Sequence, residues 1–259
     1  MRFVVLGDPV DHSRSPAIHT AALAATGIEG TYAARQVEAA GMVNAVDEVR
    51  YGRLTGANVT MPHKQIAFEL CDRVSESALR SGAVNTLVRR DGEVWGYNTD
   101  VDGIRSVWAD RELPAMSPVL ILGTGGAAAG ALTALADRTV HVSGRRDDAA
   151  RDLLDRVRVD GAVVPWGTPV EGAVVVNATP IGMAGEALPE SLLTCSSGFF
   201  DLTYGPAESP STRLVRRLGL PVADGRDLLI AQAAASFEIW TGVSAPLDVM
   251  SEAFSAYLE

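Results

Sequence analysis

Residues Pro118–Gly130 read PVLILGTGGAAAG. Val119–Leu122 are four uncharged apolar residues in a row, the pattern of a strand buried on both faces. The Ala- and Leu-rich run Gly126–Ala136 that follows has the composition of a helix. Between them Gly123, Gly125 and Ala128 stand at the G-x-G-x-x-(G/A) spacing of a dinucleotide-binding turn. Gly123 permits a tight turn, Gly125 lets backbone approach a pyrophosphate, and Ala128 keeps helix and strand close. The helix N-terminus then offers free N–H groups and a positive dipole end to phosphates.

A Gly-rich strand-to-helix turn is often only a turn, so the context decides. A second strand, Thr139–Val142, follows at the distance a βαβ unit requires. An NAD site places Asp or Glu about 20 residues past the first glycine, where it holds the ribose 2′-hydroxyl. This chain instead has Ser143, Gly144, Arg145 and Arg146, with no carboxylate until Asp147. Two guanidiniums suit the 2′-phosphate of NADP through bidentate, charge-assisted bonds. The competing reading is a solvated loop that is merely basic; the fingerprint upstream favours NADP.

At 259 residues the chain can hold two modest domains, and 47% hydrophobic content with mixed charge describes an ordinary globular protein. No apolar run approaches the roughly 20 residues needed to span a bilayer, and Phe3–Leu6 is too short for a signal segment. Cys71 and Cys195 lie far apart without metal-like spacing, which points to a reduced cytoplasm and no disulfide. A net charge of −10 argues against nucleic acid or anionic membrane as partners. His19, His63 and His141 have no carboxylate or Cys arrangement that suggests a metal.

Along the first half, strand and helix patterns alternate. Strands are expected at Phe3–Leu6, Thr31–Val37 and Leu54–Val59, and helices at Pro16–Ala25, Gly41–Val49, Pro62–Leu70 and Ser75–Arg80. Pro16 and Pro62 are expected in the first turns of their helices. Ala83–Val88 and Glu93–Tyr97 form a hairpin closed by Asp91-Gly92. Such units build an open, mainly parallel sheet, to which the hairpin adds an antiparallel edge. Thr99–Leu113 reads as one long helix bridging into the second half. After Arg146 the expected order is helix Asp148–Val157, strands Ala162–Val164, Ala173–Val176 and Gly198–Leu202, helix Pro210–Leu218 and strand Leu220–Val222. Asp227–Leu258 is helical with a break at Gly242–Pro246.

Several strand-end loops carry polar residues that a core does not need. Gly7–Pro16 holds Ser13 and Ser15, which either cap the first helix or, with its free N–H groups, take a carboxylate. Gly56–Lys64 puts Lys64 in a helix first turn, where the dipole mildly disfavours a cation. Asn98, Thr99 or Asp100 caps the bridging helix. Asn85, in an otherwise apolar strand, needs a partner for its amide, either a neighbouring backbone group or a substrate hydroxyl.

Taken together, these loops resemble the shikimate dehydrogenase family over nearly the full chain. The matching stretches in the first half are HSRSP at His12–Pro16, NVTMPHK at Asn58–Lys64, GAVNTL at Gly82–Leu87 and NTDVDG at Asn98–Gly103. The second half adds GTGGAA at Gly123–Ala128, NATPIGM at Asn177–Met183, DLTYGP at Asp201–Pro206 and GRDLLIAQ at Gly225–Gln232, with FEIWTG at Phe237–Gly242 completing the series. The resemblance implies an α/β fold of two domains with a cleft between them. An N-terminal, mainly parallel sheet, residues 1–100 with 227–259, would bind substrate, and a Rossmann-type domain, residues 101–226, would bind NADP. It implies reversible NADP-dependent oxidation of the shikimate 3-hydroxyl to 3-dehydroshikimate, in the route to chorismate and the aromatic amino acids.

By the same resemblance Lys64 and Asp100 are the catalytic pair. Ser13 and Ser15 would hold the substrate carboxylate, and Thr60, Asn85 and Gln232 the ring hydroxyls, with Tyr204 nearby. Gly123, Gly125, Gly126 and Ala127 would cradle the pyrophosphate, and Arg145, alongside Arg146, would meet the 2′-phosphate. Thr179, Met183 and Gly225 would lie along the ribose and nicotinamide. No metal is implied, and the protein would act as a monomer or homodimer. Where the family usually reads Asn-Arg-Thr, this chain has Gly144-Arg145-Arg146, which leaves the adenosine contacts and the strictness for NADP over NAD open. Competing readings are a relative that uses quinate or an amino analogue, and a ligand-binding regulator that kept the fold; intact Lys64 and Asp100 speak against the latter.

Overall fold

The computed structural model describes residues 1–205 and 207–256. Two compact units emerge, one from Met1–Asp102 with the returning segment from Leu229, the other from Gly103–Leu228.

In the first unit the strands are β1 (Arg2–Gly7), β2 (Thr31–Gln36), β3 (Gly56–Val59), β4 (Arg73–Val74), β5 (Thr86–Arg90) and β6 (Glu93–Tyr97). Between them run α1 (Ser15–Ala25), α2 (Met42–Arg50), α3 (Lys64–Leu70) and α4 (Glu76–Ser81), with α5 (Thr99–Asp110) following β6. The sheet order is β2-β1-β3-β5-β6-β4. β1 runs parallel to β2 and β3, whereas β5 is antiparallel to both β3 and β6. The expected hairpin is present, and its turn residues Asp91 and Gly92 both have positive φ, 51° and 85°, as a type I′ turn requires. It is not the sheet edge, however. The two-residue β4, absent from the sequence reading, pairs parallel with β6 outside it. A strand that short has no periodicity to read.

Met42, Val46, Val49 and Leu54 pack under Leu6, Val59 and Leu87 on one face of this sheet. The segment from Leu229 contributes the rest of α10 (Gly225–Thr241) and α11 (Leu247–Ala256), which fit the expected break between two helices; residues beyond Ala256, including Tyr257 and Leu258 of the expected final helix, lie outside the described residues. Trp240 of α10 stacks on Phe3 with 4.7 Å between ring centroids and donates its indole N–H to the Leu87 carbonyl at 2.9 Å. A Cβ on Gly56 would lie 2.4 Å from that indole nitrogen, so glycine is what allows the ring to lie against β3.

Two local expectations are corrected. Helix α3 starts at Lys64, so Pro62 lies ahead of it, in a turn entered through a cis Met61–Pro62 bond, and not in its first turn. The bridging helix stops at Asp110, because Glu112 turns to a φ of 51° and the chain leaves the helix there.

The second unit is a wholly parallel six-stranded sheet of β7 (Val119–Leu122), β8 (Val140–Ser143), β9 (Gly161–Val163), β10 (Val174–Asn177), β11 (Gly198–Asp201) and β12 (Val222–Ala223). Its order, β12-β11-β10-β7-β8-β9, is that of the doubly wound dinucleotide fold, with strand order reversing between β7 and β10. Helices α6 (Gly126–Ala134), α7 (Asp147–Val157), α8 (Glu190–Thr194) and α9 (Pro210–Arg217) alternate with the strands. Leu120, Leu122, Val175, Phe199, Leu192 and Val215 form part of its core. The four residues of β7, read from the sequence as buried on both faces, are fully buried.

Candidate active site

The first unit gathers its polar residues where β1, β3 and the β5–β6 hairpin meet the starts of α1, α3 and α5. Leaving β3, the Thr60 amide bonds the Leu6 carbonyl at 2.8 Å, and the His63 amide bonds Thr60 at 3.0 Å, closing a turn that delivers Lys64 as the first residue of α3. His63 is itself buried, with Nε2 2.5 Å from the Val37 carbonyl. The Lys64 carbonyl accepts from the Val84 amide at 2.9 Å, which fixes the root of the side chain.

Lys64 Nζ donates to Asp100 Oδ2 at 2.6 Å, and the two side chains are only 21% and 14% exposed. Asp100 stands in the first turn of α5, where a carboxylate suits the helix dipole. Of the three capping candidates the structure selects Asn98, whose Oδ1 accepts from the Asp100 amide at 3.2 Å. Asn85 precedes β5 instead of lying inside it, and its amide is already partnered. Oδ1 accepts from the Thr99 amide at 2.8 Å and Nδ2 donates to Asp100 Oδ1 at 2.9 Å. The second Nδ2 hydrogen is still available to a ligand hydroxyl.

Neither Ser13 nor Ser15 caps α1 by its side chain: the N-cap position is Arg14, and Ser13 Oγ instead accepts from the Ser15 amide at 3.3 Å. Gln232 is buried on α10 with Nε2 donating to Leu229 at 2.9 Å, which leaves its Oε1 as an acceptor. Ser13, Ser15, Thr60, Lys64, Asn85, Asp100 and Gln232 thus all belong to the first unit, whereas Tyr204 belongs to the second.

In the second unit the fingerprint has the backbone it needs. Gly123 has a φ of +115°, and a Cβ there would come within 2.7 Å of the Ala178 carbonyl. Around Gly125 and Gly126, by contrast, a Cβ would meet nothing within 4 Å, so the space over the start of α6 is open. That helix has no side-chain cap, and its first intrahelical bond is made by the Ala129 amide, so the preceding amides have no partner within the helix. Thr179 is held by Asn177 Oδ1, at 3.1 Å from its amide and 2.7 Å from its hydroxyl. Gly225 opens α10, and a Cβ there would lie 2.1 Å from the Thr203 carbonyl. Arg145, Arg146 and Met183 are exposed. The loop after β8 carries a steric mark as well: a Cβ on Gly144 would meet the Thr124 methyl at 2.8 Å. Thr124 therefore fills the space that a larger residue at 144 would need.

The family model described as the shikimate dehydrogenase substrate binding domain matches residues 5–87, and that of the shikimate 5′-dehydrogenase C-terminal domain matches residues 225–253. A relative from Archaeoglobus fulgidus, named shikimate dehydrogenase (NADP(+)), is 37% identical, with 96% of each chain covered. The chain belongs to the shikimate dehydrogenase family. Among solved structures of that family, shikimate 5-dehydrogenase from Thermus thermophilus in complex with shikimate superposes with a TM-score of 0.91 at 35% identity, covering 100% of this chain and 99% of that one. The same enzyme in complex with NADP(H) and shikimate gives 0.91 at 34% identity, over 99% of both chains.

As a shikimate dehydrogenase fold, the second unit fits the dinucleotide its family name implies: an open, glycine-lined helix start for a pyrophosphate and two exposed guanidiniums beyond β8. Among the described residues no cluster of three or more His, Cys, Asp or Glu could hold a metal, and no helix is long and apolar enough to cross a membrane. Tyr32, Thr86 and Ser236 carry no signal of a role in the sequence. All are buried around Asn58, which accepts from the Tyr32 hydroxyl at 2.7 Å and donates to Thr86 and Ser236 at 3.1 and 3.0 Å. An asparagine in the middle of a buried strand was the available signal; a serine among alanines at 233–235 gave none.

Proposed function

We propose that this chain catalyses the reversible NADP-dependent oxidation of the shikimate 3-hydroxyl to 3-dehydroshikimate. The carrying observation is the Lys64–Asp100 pair, 2.6 Å apart and mostly buried, within a family whose relatives are named for that reaction. Bound NADP supplies the chemistry of accepting a hydride from the carbinol carbon, or returning it from NADPH. What the chain must then manage is the proton on the reacting oxygen.

An ammonium has three donors, and Asp100 engages one, so Lys64 has others to direct at that oxygen. In the reducing direction Lys64 stabilises the negative charge growing on the former carbonyl oxygen and delivers the proton to it. In the oxidising direction it takes the proton back. Asp100 orients the ammonium through their 2.6 Å hydrogen bond. Ser13 and Ser15 receive the substrate carboxylate and Thr60, Asn85 and Gln232 the ring hydroxyls, with Tyr204 a further substrate-binding residue.

Gly123, Gly125, Gly126 and Ala127 hold the pyrophosphate of NADP, Arg145 and Arg146 the 2′-phosphate, and Thr179, Met183 and Gly225 the ribose and nicotinamide. Residues 1–100 with 227–259 are thus the substrate domain and 101–226 the NADP domain, of a cytoplasmic monomer or homodimer. The deciding experiment is a rate assay with shikimate and with quinate, each with NADP and NAD. Turnover is expected to be fastest with shikimate and NADP. Faster turnover of quinate would reassign the substrate, and no turnover with any pair would leave a ligand-binding regulator.

A further inference from the structure

We propose that Thr99 and Ser236 are positioning residues that lock the Asn85 amide so that it aligns the Asp100 carboxylate on Lys64; this rests on the reading of Lys64 and Asp100 as the catalytic pair. A backbone N–H can only donate, so the Asn85 atom 2.8 Å from the Thr99 amide is the oxygen. The other amide atom is then the nitrogen, and it lies 2.9 Å from Asp100 Oδ1. Asp100 is thereby gripped at both oxygens, by Asn85 on one and Lys64 on the other.

Flipping the Asn85 amide would set its nitrogen against the Thr99 N–H and its oxygen against a carboxylate, two repulsions at once. A threonine hydroxyl reinforces the observed orientation, and two are within reach. The hydroxyls of Thr86 and Thr99 lie 3.0 and 3.1 Å from Asn85 Oδ1. The same hydroxyls lie 2.8 and 3.2 Å from Ser236 Oγ, which donates its own proton to the Gln232 carbonyl at 2.9 Å and so faces the threonines as an acceptor. Two threonine protons thus serve two acceptors, Asn85 Oδ1 and Ser236 Oγ. Asn58 completes the cluster by donating to Ser236 at 3.0 Å.

Thr86, Thr99 and Ser236 are each at most 1% exposed, and Asn85 is 2% exposed. A core has no need of so many buried polar groups, since apolar residues of the same volume would serve it as well. Followed outward, this cluster ends on the partly exposed Asp100 and Lys64. Ser236 also stands one helical turn after Gln232, so the same hydroxyl ties the returning helix to Asn58 on β3 and Thr86 on β5.

The test compares wild type, Thr99→Val, Thr99→Ser, Ser236→Ala and Lys64→Ala, reading kcat, both KM values and the thermal midpoint. Thr99→Val keeps shape and loses the hydroxyl. It is expected to lower kcat about tenfold, since the Asn85 amide that aligns the carboxylate is held less firmly. The KM for NADP should stay within about twofold, and Thr99→Ser should restore kcat to within about twofold of wild type. If Thr99→Val does not fold, Ser236→Ala answers in its place, with a lower kcat and a KM for NADP within about twofold of wild type. Wild-type kcat in the hydroxyl-free variants, with Lys64→Ala inactive, would overturn this inference and leave the functional reading standing. A wild type without shikimate turnover would overturn the functional reading, and this inference with it.

Discussion

His19 offers a measurable link between acidity and stability. The imidazole is 1% exposed, stacked on Tyr32 with 4.4 Å between centroids and 6° between planes, and tilted against Trp240 at 5.3 Å. Burial lowers its pKa from 6.5 to about 3, with a neighbouring Asn58 opposing the shift only in part. Between those two values the unfolded chain binds a proton that the folded chain refuses. Stability is therefore fully present above 6.5, falls as pH drops through the window, and levels off near 3. At 1.36 kcal/mol per unit, acidifying from pH 7 to pH 4 removes about 3 kcal/mol through this one group.

His19→Phe keeps a flat ring against Tyr32 and removes the titration. Urea unfolding followed by tryptophan fluorescence at pH 7, 6, 5 and 4 should show the wild type losing about 3 kcal/mol more than the variant. The difference should build up mainly below pH 6.5. Curves that fall in parallel would refute the reasoning, as would an NMR titration in which the folded protein's His19 protonates near pH 6.5.

Lys64→Ala should cut turnover by about 10²–10⁴-fold, the range for losing a positioned acid–base group, while circular dichroism stays that of wild type. Arg145→Ala should raise the KM for NADP far more than that for NAD, measured by initial rates; equal changes would remove Arg145 from the 2′-phosphate. Gly225→Ala forces a Cβ to within 2.1 Å of the Thr203 carbonyl. Backbone must move there, so calorimetry should show a loss of about 2 kcal/mol or more.

Much of the architecture was legible because both sheets are made from strands that announce themselves. Val119–Leu122 is a continuous apolar run, and the Asp91-Gly92 turn is one of the strongest hairpin signals. What escaped were elements too short for periodicity, β4 and the five-residue α8. The site was legible to the extent that chemistry-bearing residues sat in polar loops, as Lys64 and Asp100 do. The residues that hold those two in place were not, because Thr86, Thr99 and Ser236 resemble ordinary small residues until folding brings positions 86, 99 and 236 within hydrogen-bonding distance. Steric compensation was equally hidden. Gly144 reads in the sequence as a lost adenosine contact, and only the fold sets Thr124 beside it.

The discontinuity of the first unit bears on how the chain matures. The second unit is one unbroken stretch, whereas the first is completed by a segment more than a hundred residues downstream of its own strands. Synthesis runs from the N-terminus, so β1, β3 and β5 leave the ribosome well before the indole that lies on Phe3 and caps the Leu87 carbonyl. Until Trp240 arrives, Phe3, Gly56 and the Leu87 carbonyl have no cover from it. The front unit therefore stays incomplete until Trp240 is made, whereas the middle portion is one contiguous stretch that has been synthesised in full by then and can fold first.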